Sequence, residues 1–396
     1  MTDIACEALV IGAGPAGSAS AALLADAGWR VLAMDRAAFP REKPCSEYMS
    51  PETVRILERL GVMPALRSAG AVTLSGSSVI AANGARLDGR FPAGQGLSIA
   101  RRELDHALVG AARARGVEVL EETSLERLVV EQGRVAGAVI RRRNGGLQRV
   151  TASLTIGADG LRSRVARALG GQHFGWPARI AFVAHVEGVT GMADRAEMHV
   201  GRRGYVGLNA IGGGVTNVAL VVPQRRAALA AGRVEAYFRE ELEHFPGVRG
   251  RAAAQRLARE VLVTGPFAAR ARRVAAPGAL LVGDAADFFD PFTGEGICAA
   301  LTGAELVAGA LGPARGVAAI DRGLAEYGRA RRRRFAGKWA VERLIGYAMT
   351  APALFDHAVA RIGRRRGMAD TLVGVTGAVL PARDVLNPYF LARMVL

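Results

Sequence analysis

The chain has 396 residues, half of them hydrophobic and 22% charged, which is more than one core usually organises and excludes a disordered or fibrous protein. Its formal net charge of +16 is almost all arginine, Lys43 and Lys338 being the only lysines. No helix-turn-helix, zinc or RNA-binding signature accompanies it, so no nucleic-acid partner is expected. Three scattered cysteines, Cys6, Cys45 and Cys298, form neither a disulfide framework nor a zinc spacing, and no apolar run approaches the ~20 residues of a membrane span.

The start, MTDIACEALVIGAG, runs from a few polar residues directly into a strand pattern without a leader, so cytoplasmic residence is expected. EALVIGAG reads as a buried strand, PAGSASAALLADAG as a small-residue helix stopped by Gly28, and WRVLAMDR as a second strand: a βαβ unit. Residues 39–51, FPREKPCSEYMSP, crowd Arg41, Glu42, Lys43, Cys45, Glu47 and Tyr48 between prolines with no helix or strand period. Residues 51–61 predict a short helix with proline at its first position and glycine at its end. A second helix is predicted over 101–115, and short β segments over 117–160 with a hairpin at Asn144-Gly145. Antiparallel strands are predicted over 177–222 and a helix over 229–245. ALLVGDAADF reads as a buried strand leading into a helix, and from about 318 the chain is helical and basic.

Gly12-x-Gly14-x-x-Gly17 sits between the first strand and its helix. The first glycine suits a tight turn, the second a close approach to a pyrophosphate, and the third close packing of helix on strand. The helix N-terminus aims its N–H groups at an anion, and Asp35, about 20 residues on, ends the second strand where a carboxylate accepts ribose hydroxyls. A dinucleotide site follows.

Two further motifs decide which dinucleotide: Gly157-Ala158-Asp159-Gly160, and Gly283-Asp284-Ala285-Ala286. With the glycine loop they resemble, in order over residues 4–310, the three fingerprints of FAD-dependent oxidoreductases of the aromatic-ring hydroxylase class (p-hydroxybenzoate hydroxylase fold). PFTGEGICAAL and PREKPCSEYMSP resemble the geranylgeranyl reductase branch. The resemblance implies an α/β fold. A Rossmann-like FAD-binding domain of the GR2 type would occupy 1–75, 100–175 and 270–325. An inserted antiparallel β-sheet substrate lobe would occupy 76–99 and 176–269, and a helical C-terminal region 326–396.

It also implies a cofactor set. Gly12, Gly14, Pro15, Ala16 and Gly17 come first, then Asp35 with Arg36 and Arg41, then Arg101, for which Arg102 is an adjacent alternative. Asp159, Gly160, Gly283 and Asp284 follow, with Pro291, Gly294, Gly296 and Ile297 at the entry of a helix whose positive end faces the flavin. The expected reaction is flavin-mediated reduction of a C=C bond in a hydrophobic isoprenoid, quinone or polyketide-like molecule, with NAD(P)H or another donor as reductant. The alternative is an NAD(P)H-dependent FAD monooxygenase that hydroxylates or epoxidises an aromatic or polyketide substrate. A flavin-binding interaction protein is the third reading.

Candidate catalytic residues are Cys45, Glu47, Tyr48 and Tyr205. Cys45 is either a thiolate favoured by Arg41 and Lys43 or packing in a proline-stiffened connector. Asn209 and Asn217 are either polar handles for an oily ligand or strand-end satisfiers of backbone groups, and His173, His185 and His199 share no metal spacing. Ser46 stands where the branch often has glycine. The Trp-x-Trp-x-Ile segment of related halogenases is absent around Trp29, Trp176 and Trp339, which disfavours halogenation. The basic helix near 327–345 and the later RIGRRRG are either a solvated face or a face lying on an anionic membrane.

Overall fold

The computed structural model describes residues 3–395. Five parallel strands form its centre, in the order Ala279–Leu281, Leu147–Gly157, Ile4–Ile11, Val31–Met34, Glu118–Leu120. These segments are short apolar runs because both faces of the sheet are covered. On one face lie the helices Pro15–Asp26, Arg101–Arg113 and Gly296–Leu311, sharing a core of Val10, Leu24, Leu104, Ile156, Leu301 and their neighbours. On the other, an antiparallel meander, Ser124–Glu131 and Arg134–Arg141, feeds into Leu147–Gly157 and packs with the short helix Arg164–Ala168. The hairpin at Asn144-Gly145 forms as predicted: the Asn144 side chain accepts the Gly146 N–H, and Gly145 is left-handed.

The second sheet has seven strands, in the order Leu257–Thr264, Arg179–Glu187, Val215–Pro223, Gly204–Gly212, Arg195–Gly201, Gly76–Ile80, Arg86–Arg90, antiparallel except where Arg195–Gly201 meets Gly76–Ile80. Residues 76–90 are thus drawn out of the first half of the chain to extend a sheet built mainly from residues 179–264.

The helical C-terminal region shares a core with that sheet. Pro352–Gly363 and Arg366–Thr376 lie so close to Arg86–Arg90 that a Cβ at Gly363 would fall 2.0 Å from the Arg86 carbonyl oxygen. Phe355, Val359, Ile362 and Val373 join Leu74, Leu87 and Tyr205 in one apolar cluster. Ahead of them, Val317–Ala348 is a continuous helix of 32 residues, about 48 Å long. It is tied in series to the parallel sheet by the Tyr327 hydroxyl on the Leu281 carbonyl at 2.7 Å, to the 283–296 segment by Arg331 on Asp287 at 2.8 Å, and to the second sheet by Arg179 on the Gly346 carbonyl at 3.3 Å.

Two expected helices differ. The 229–245 segment breaks into the 3-10 turn Ala228–Ala230 and the helix Val234–Leu242, because Gly232 is left-handed between them. After Ala279–Leu281 no helix follows at once. A 3-10 turn at left-handed Gly283 and a short strand, Asp287–Phe288, intervene before the helix opens at Gly296.

Candidate active site

A cavity of about 440 Å³ runs from the glycine-rich loop to the underside of the seven-stranded sheet. Gly12, Gly14, Pro15 and Ala16 line its first end, at the mouth of the Pro15–Asp26 helix. Gly17 and Gly283 do not face it. A Cβ at Gly17 would lie 1.8 Å from the Gly12 carbonyl oxygen, and one at Gly283 would lie 2.9 Å from the Ala16 methyl, so both glycines serve the packing of the loop. Asp35 lines the cavity and braces the turn, its carboxylate accepting the Ala13 N–H at 2.9 Å and the Ala37 N–H at 3.0 Å.

Cations crowd the next stretch. Arg36 lines the wall; Arg41 reaches Asp105 at 3.2 Å and Asp35 at 3.8 Å, and its Nε has no hydrogen-bond partner among the described residues. Arg101 lines the cavity with its guanidinium doubly bonded to Asp105 at 2.9 Å, whereas Arg102 is exposed, lies outside the lining and pairs with Glu103 and Glu42. Lys43 also lines the cavity, beside Gly160, and no ion pair holds it among the described residues. Burial, then Arg101 and Arg41, pull its pKa down. Asp284 faces the same space with its carboxyl pushed up by burial against the opposing pull of Lys43 and Arg101. Asp159 also lines the wall but is turned onto its own loop. It accepts from Ser163 at 2.5 Å, Arg164 N–H at 2.6 Å and Val165 N–H at 3.2 Å, and so anchors the 164–168 helix.

At the far end Pro291, Gly294, Gly296 and Ile297 line the cavity at the mouth of the Gly296–Leu311 helix. Asp290 fixes this mouth. Its carboxylate accepts from Arg179 at 2.5 Å, from the Tyr205 hydroxyl at 2.6 Å and from the Phe292 N–H at 3.0 Å. Tyr205 therefore lines the cavity with its hydroxyl committed to Asp290, and burial followed by that carboxylate pushes its pKa well up.

Of the four candidate catalytic residues, only Cys45 and Tyr205 face the cavity. Glu47 and Tyr48 point elsewhere, for a backbone reason. Glu47 has φ +60°, which turns the chain back into the protein, and Tyr48–Met49 then form a strand pairing with Gly96–Ser98. The fully buried Glu47 carboxylate accepts the Arg101 N–H at 2.9 Å and an Asn217 N–H at 2.7 Å, and meets His185 Nε2 at 2.8 Å. Tyr48 packs over Gly294. Asn217 also donates to the Cys45 carbonyl at 2.7 Å, and Asn209 donates to the Ser46 carbonyl at 3.3 Å. The two asparagines thus moor the 45–47 loop to the sheet. Cys45 is presented by this mooring: its sulfur accepts the Glu47 N–H at 3.4 Å and lies against the Arg101 guanidinium.

Sequence reasoning missed the ceiling. Ala181, Val183, Met198, Gly207, Ala219 and Val221 line the cavity from the seven-stranded sheet. Their only signal is a two-residue alternation of small apolar side chains, which is also what any half-buried sheet shows.

Glu295, between the cavity-lining Gly294 and Gly296, is not itself part of the lining. It directly precedes the Gly296–Leu311 helix and is 4% exposed, with the Ser50 hydroxyl and the Cys298 thiol beside its carboxyl. Burial pushes its pKa up to about 7 from an ordinary 4.5, with Lys338, Cys298 and Ser50 pulling the other way. The folded protein therefore keeps a proton here that the unfolded chain releases near 4.5, so stability falls as pH rises through the window from about 4.5 to about 7. Over that window wild type loses up to about 3 kcal/mol through this residue. Glu295→Gln is expected to match wild type near pH 4.5 and exceed it by that amount at pH 8 in chemical denaturation. Parallel stability curves for the two proteins would show that this carboxyl does not hold its proton above its ordinary range.

The donor set fits FAD. A glycine cradle at a helix mouth suits a diphosphate, while the unpartnered Arg41 Nε and the unpaired Lys43 supply cationic donors for it. Asp35 and Asp284 offer acceptors for ribose and ribityl hydroxyls, and the second helix mouth offers positive potential to the ring. Fold and site together define an FAD-dependent oxidoreductase.

The chain belongs to the FAD binding domain family, whose model matches residues 5–342. It is 32% identical over 299 residues to digeranylgeranylglycerophospholipid reductase 2 of Methanopyrus kandleri, covering 74% of this chain and 73% of that one. It is 29% identical over 321 residues to a menaquinone reductase of Mycolicibacterium smegmatis, covering 74% and 72%. Among solved structures, the myxobacterial chondrochloren halogenase CndH superposes with a TM-score of 0.81 at 24% identity, over 87% of this chain and 83% of that one, a likeness of fold.

Proposed function

We propose that this protein reduces a carbon–carbon double bond of a hydrophobic, isoprenoid, quinone or polyketide-like molecule, with NAD(P)H or another donor as reductant. The observation that carries the reading is the cavity ceiling. Ala181, Val183, Gly207, Ala219 and Val221 present small apolar surfaces that accept a flat or branched hydrocarbon and offer it no charge. Two relatives named as reductases of isoprenoid-lipid or quinone compounds support it.

FAD, once bound and reduced by the donor, would supply the hydride. The chain's own work is to hold, orient and protonate. The ceiling excludes water, and Arg179 with Tyr205 fixes Asp290 so that the 291–296 segment keeps its place beneath the substrate. The Tyr205 proton is held by a carboxylate, and the Cys45 thiol, also on the wall, is assigned to give a proton to the substrate carbon that does not receive hydride.

The test is anaerobic. Prereduced holoenzyme mixed with a geranylgeranyl or menaquinone compound is expected to yield a product heavier by two hydrogens, followed by mass spectrometry. A hydroxylated or epoxidised product that forms only with oxygen would establish the monooxygenase reading instead. Cys45→Ala is expected to keep its FAD and lose at least about 100-fold in kcat, the usual scale of a positioned acid. Unchanged kcat would return Cys45 to packing.

A further inference from the structure

The cavity ceiling has relief. Strand register sets its residues in cross-strand rows that run at right angles to the strands. One row is Met198, Gly207, Ala219 and Val183, each opposite the next on neighbouring strands. Two residues along each strand, about 7 Å to one side, the row is Tyr205, Val221 and Ala181. On the other side it is Asn209, Asn217 and His185. The outer rows are buried, the asparagines and His185 against the 45–47 loop and Tyr205 against Phe292. Met198, Gly207 and Ala219 are only half-buried. A glycine and an alanine between rows of taller side chains make a groove that crosses the strands.

The groove has a closed end and an open one. Met198 closes it. Its Cε lies 3.6 Å from where a Cβ at Gly207 would stand, so the side chain leans along the groove floor. Val79, opposite Met198 on the next strand, packs with it against the apolar cluster that includes the C-terminal helices. At the other end the lining passes to Thr264, on the edge strand of the sheet, and to the exposed Arg162. Four strand spacings, about 19 Å, separate the Met198 strand from that edge. A floor one residue wide on each strand suits a chain laid across the sheet and is too narrow for a fused ring system. The missing side chain of Gly207 and the short one of Ala219 leave hollows that branching methyl groups fill.

We propose that this groove gauges the length of a methyl-branched hydrocarbon chain, which lies across the strands with its apolar end against Met198, so that Met198 and Gly207 set the longest chain accepted. The proposal rests on the reading of the substrate as an oily molecule and narrows it to a prenyl chain.

The experiment titrates FAD-loaded full-length protein with geraniol, farnesol, geranylgeraniol and geranylfarnesol. Dissociation constants are read from flavin absorbance without turnover, and anaerobic reduction of the same alcohols is followed separately. In wild type the affinity is expected to climb with each added isoprene unit and to stop climbing at the chain that reaches Met198. Met198→Ala is expected to move that stop to a longer chain, binding the next alcohol at least about tenfold more tightly than wild type does. Gly207→Val is expected to move it to a shorter chain by a similar factor. Melting temperature and flavin content are the fold controls, expected at wild-type values because a Cβ at Gly207 meets nothing nearer than 3.6 Å. Should Gly207→Val fail to fold, the Met198→Ala profile decides alone. Profiles that stay unshifted, affinity lost equally for every chain length, or a wild type that binds none of the alcohols overturns the proposal. So does a flat tricyclic, anthraquinone, bound more tightly than every prenyl alcohol. Reduction of the alcohols with unshifted profiles sinks the gauge and leaves the reaction standing. Shifted binding profiles with no reduction of any double bond sink the reaction and leave the gauge.

Discussion

Glu47→Ala is expected to destabilise the protein by about 3–5 kcal/mol and to strip it of most of its FAD. Removing the carboxylate leaves the Arg101 N–H, the His185 ring and an Asn217 N–H without their acceptor in a fully buried site. Each unsatisfied group costs about 1–3 kcal/mol, and alanine at φ +60° offers no relief of the backbone. The loop that carries Cys45 and Lys43 along the cavity then loses one of its moorings, so cofactor binding falls with stability. Glu47→Gln keeps an oxygen for the Arg101 N–H but turns an amide towards Asn217, so it should fall between wild type and alanine. Denaturation midpoints and bound-flavin absorbance are the measurements. An alanine variant with wild-type midpoint and full flavin content would show that the carboxylate is not a mooring.

Gly17→Ala should do comparable damage by a different route. Its methyl would sit 1.8 Å from the Gly12 carbonyl oxygen and 3.1 Å from the Ala158 methyl, and the first of these is backbone that cannot rotate away. The helix Pro15–Asp26 must shift off its strand, opening the cradle and costing about 3 kcal/mol or more. Gly14→Ala is the informative control. Its Cβ meets only the end of Arg41 at 3.5 Å, but it projects into the cavity lining. That variant is expected to melt like wild type and bind FAD at least about tenfold more weakly. Circular-dichroism melts and flavin titration distinguish packing from binding, and a Gly17→Ala protein that melts normally would contradict the packing role.

The cofactor half of the molecule was largely legible in the chain, because its signals are local. A turn glycine, a helix mouth and an acidic residue at a strand end fall within 24 residues of one another, from Gly12 to Asp35. The same holds for the Asn144-Gly145 hairpin and the helix Pro51–Arg59, whose turn and cap chemistry is written in adjacent letters. The half built on the seven-stranded sheet was not. Glu47 and Tyr48 were expected at the reaction centre, and nothing in the sequence marks a glutamate for left-handed backbone. Its partners His185 and Asn217 lie 138 and 170 residues away. Asn209 and Asn217 stood out as polar residues in an oily sheet, but their partners proved to be the loop. The ceiling is alanine, valine, glycine and one methionine, residue types too common to announce a site. The C-terminal helices follow the same rule: their helicity was evident, while their seat on Arg86–Arg90 depends on a contact some 280 residues apart, Asp370 accepting the Arg90 N–H at 2.8 Å.

The serial attachment of the Val317–Ala348 helix bears on how the protein comes apart. With bonds to the parallel sheet, the 283–296 segment and the seven-stranded sheet along a single rod, neither sheet can open without breaking or bending the helix that holds the other. The two halves are therefore expected to unfold as one cooperative unit, with amides in the strands Ile4–Ile11 and Val215–Pro223 exchanging with solvent at the same global free energy.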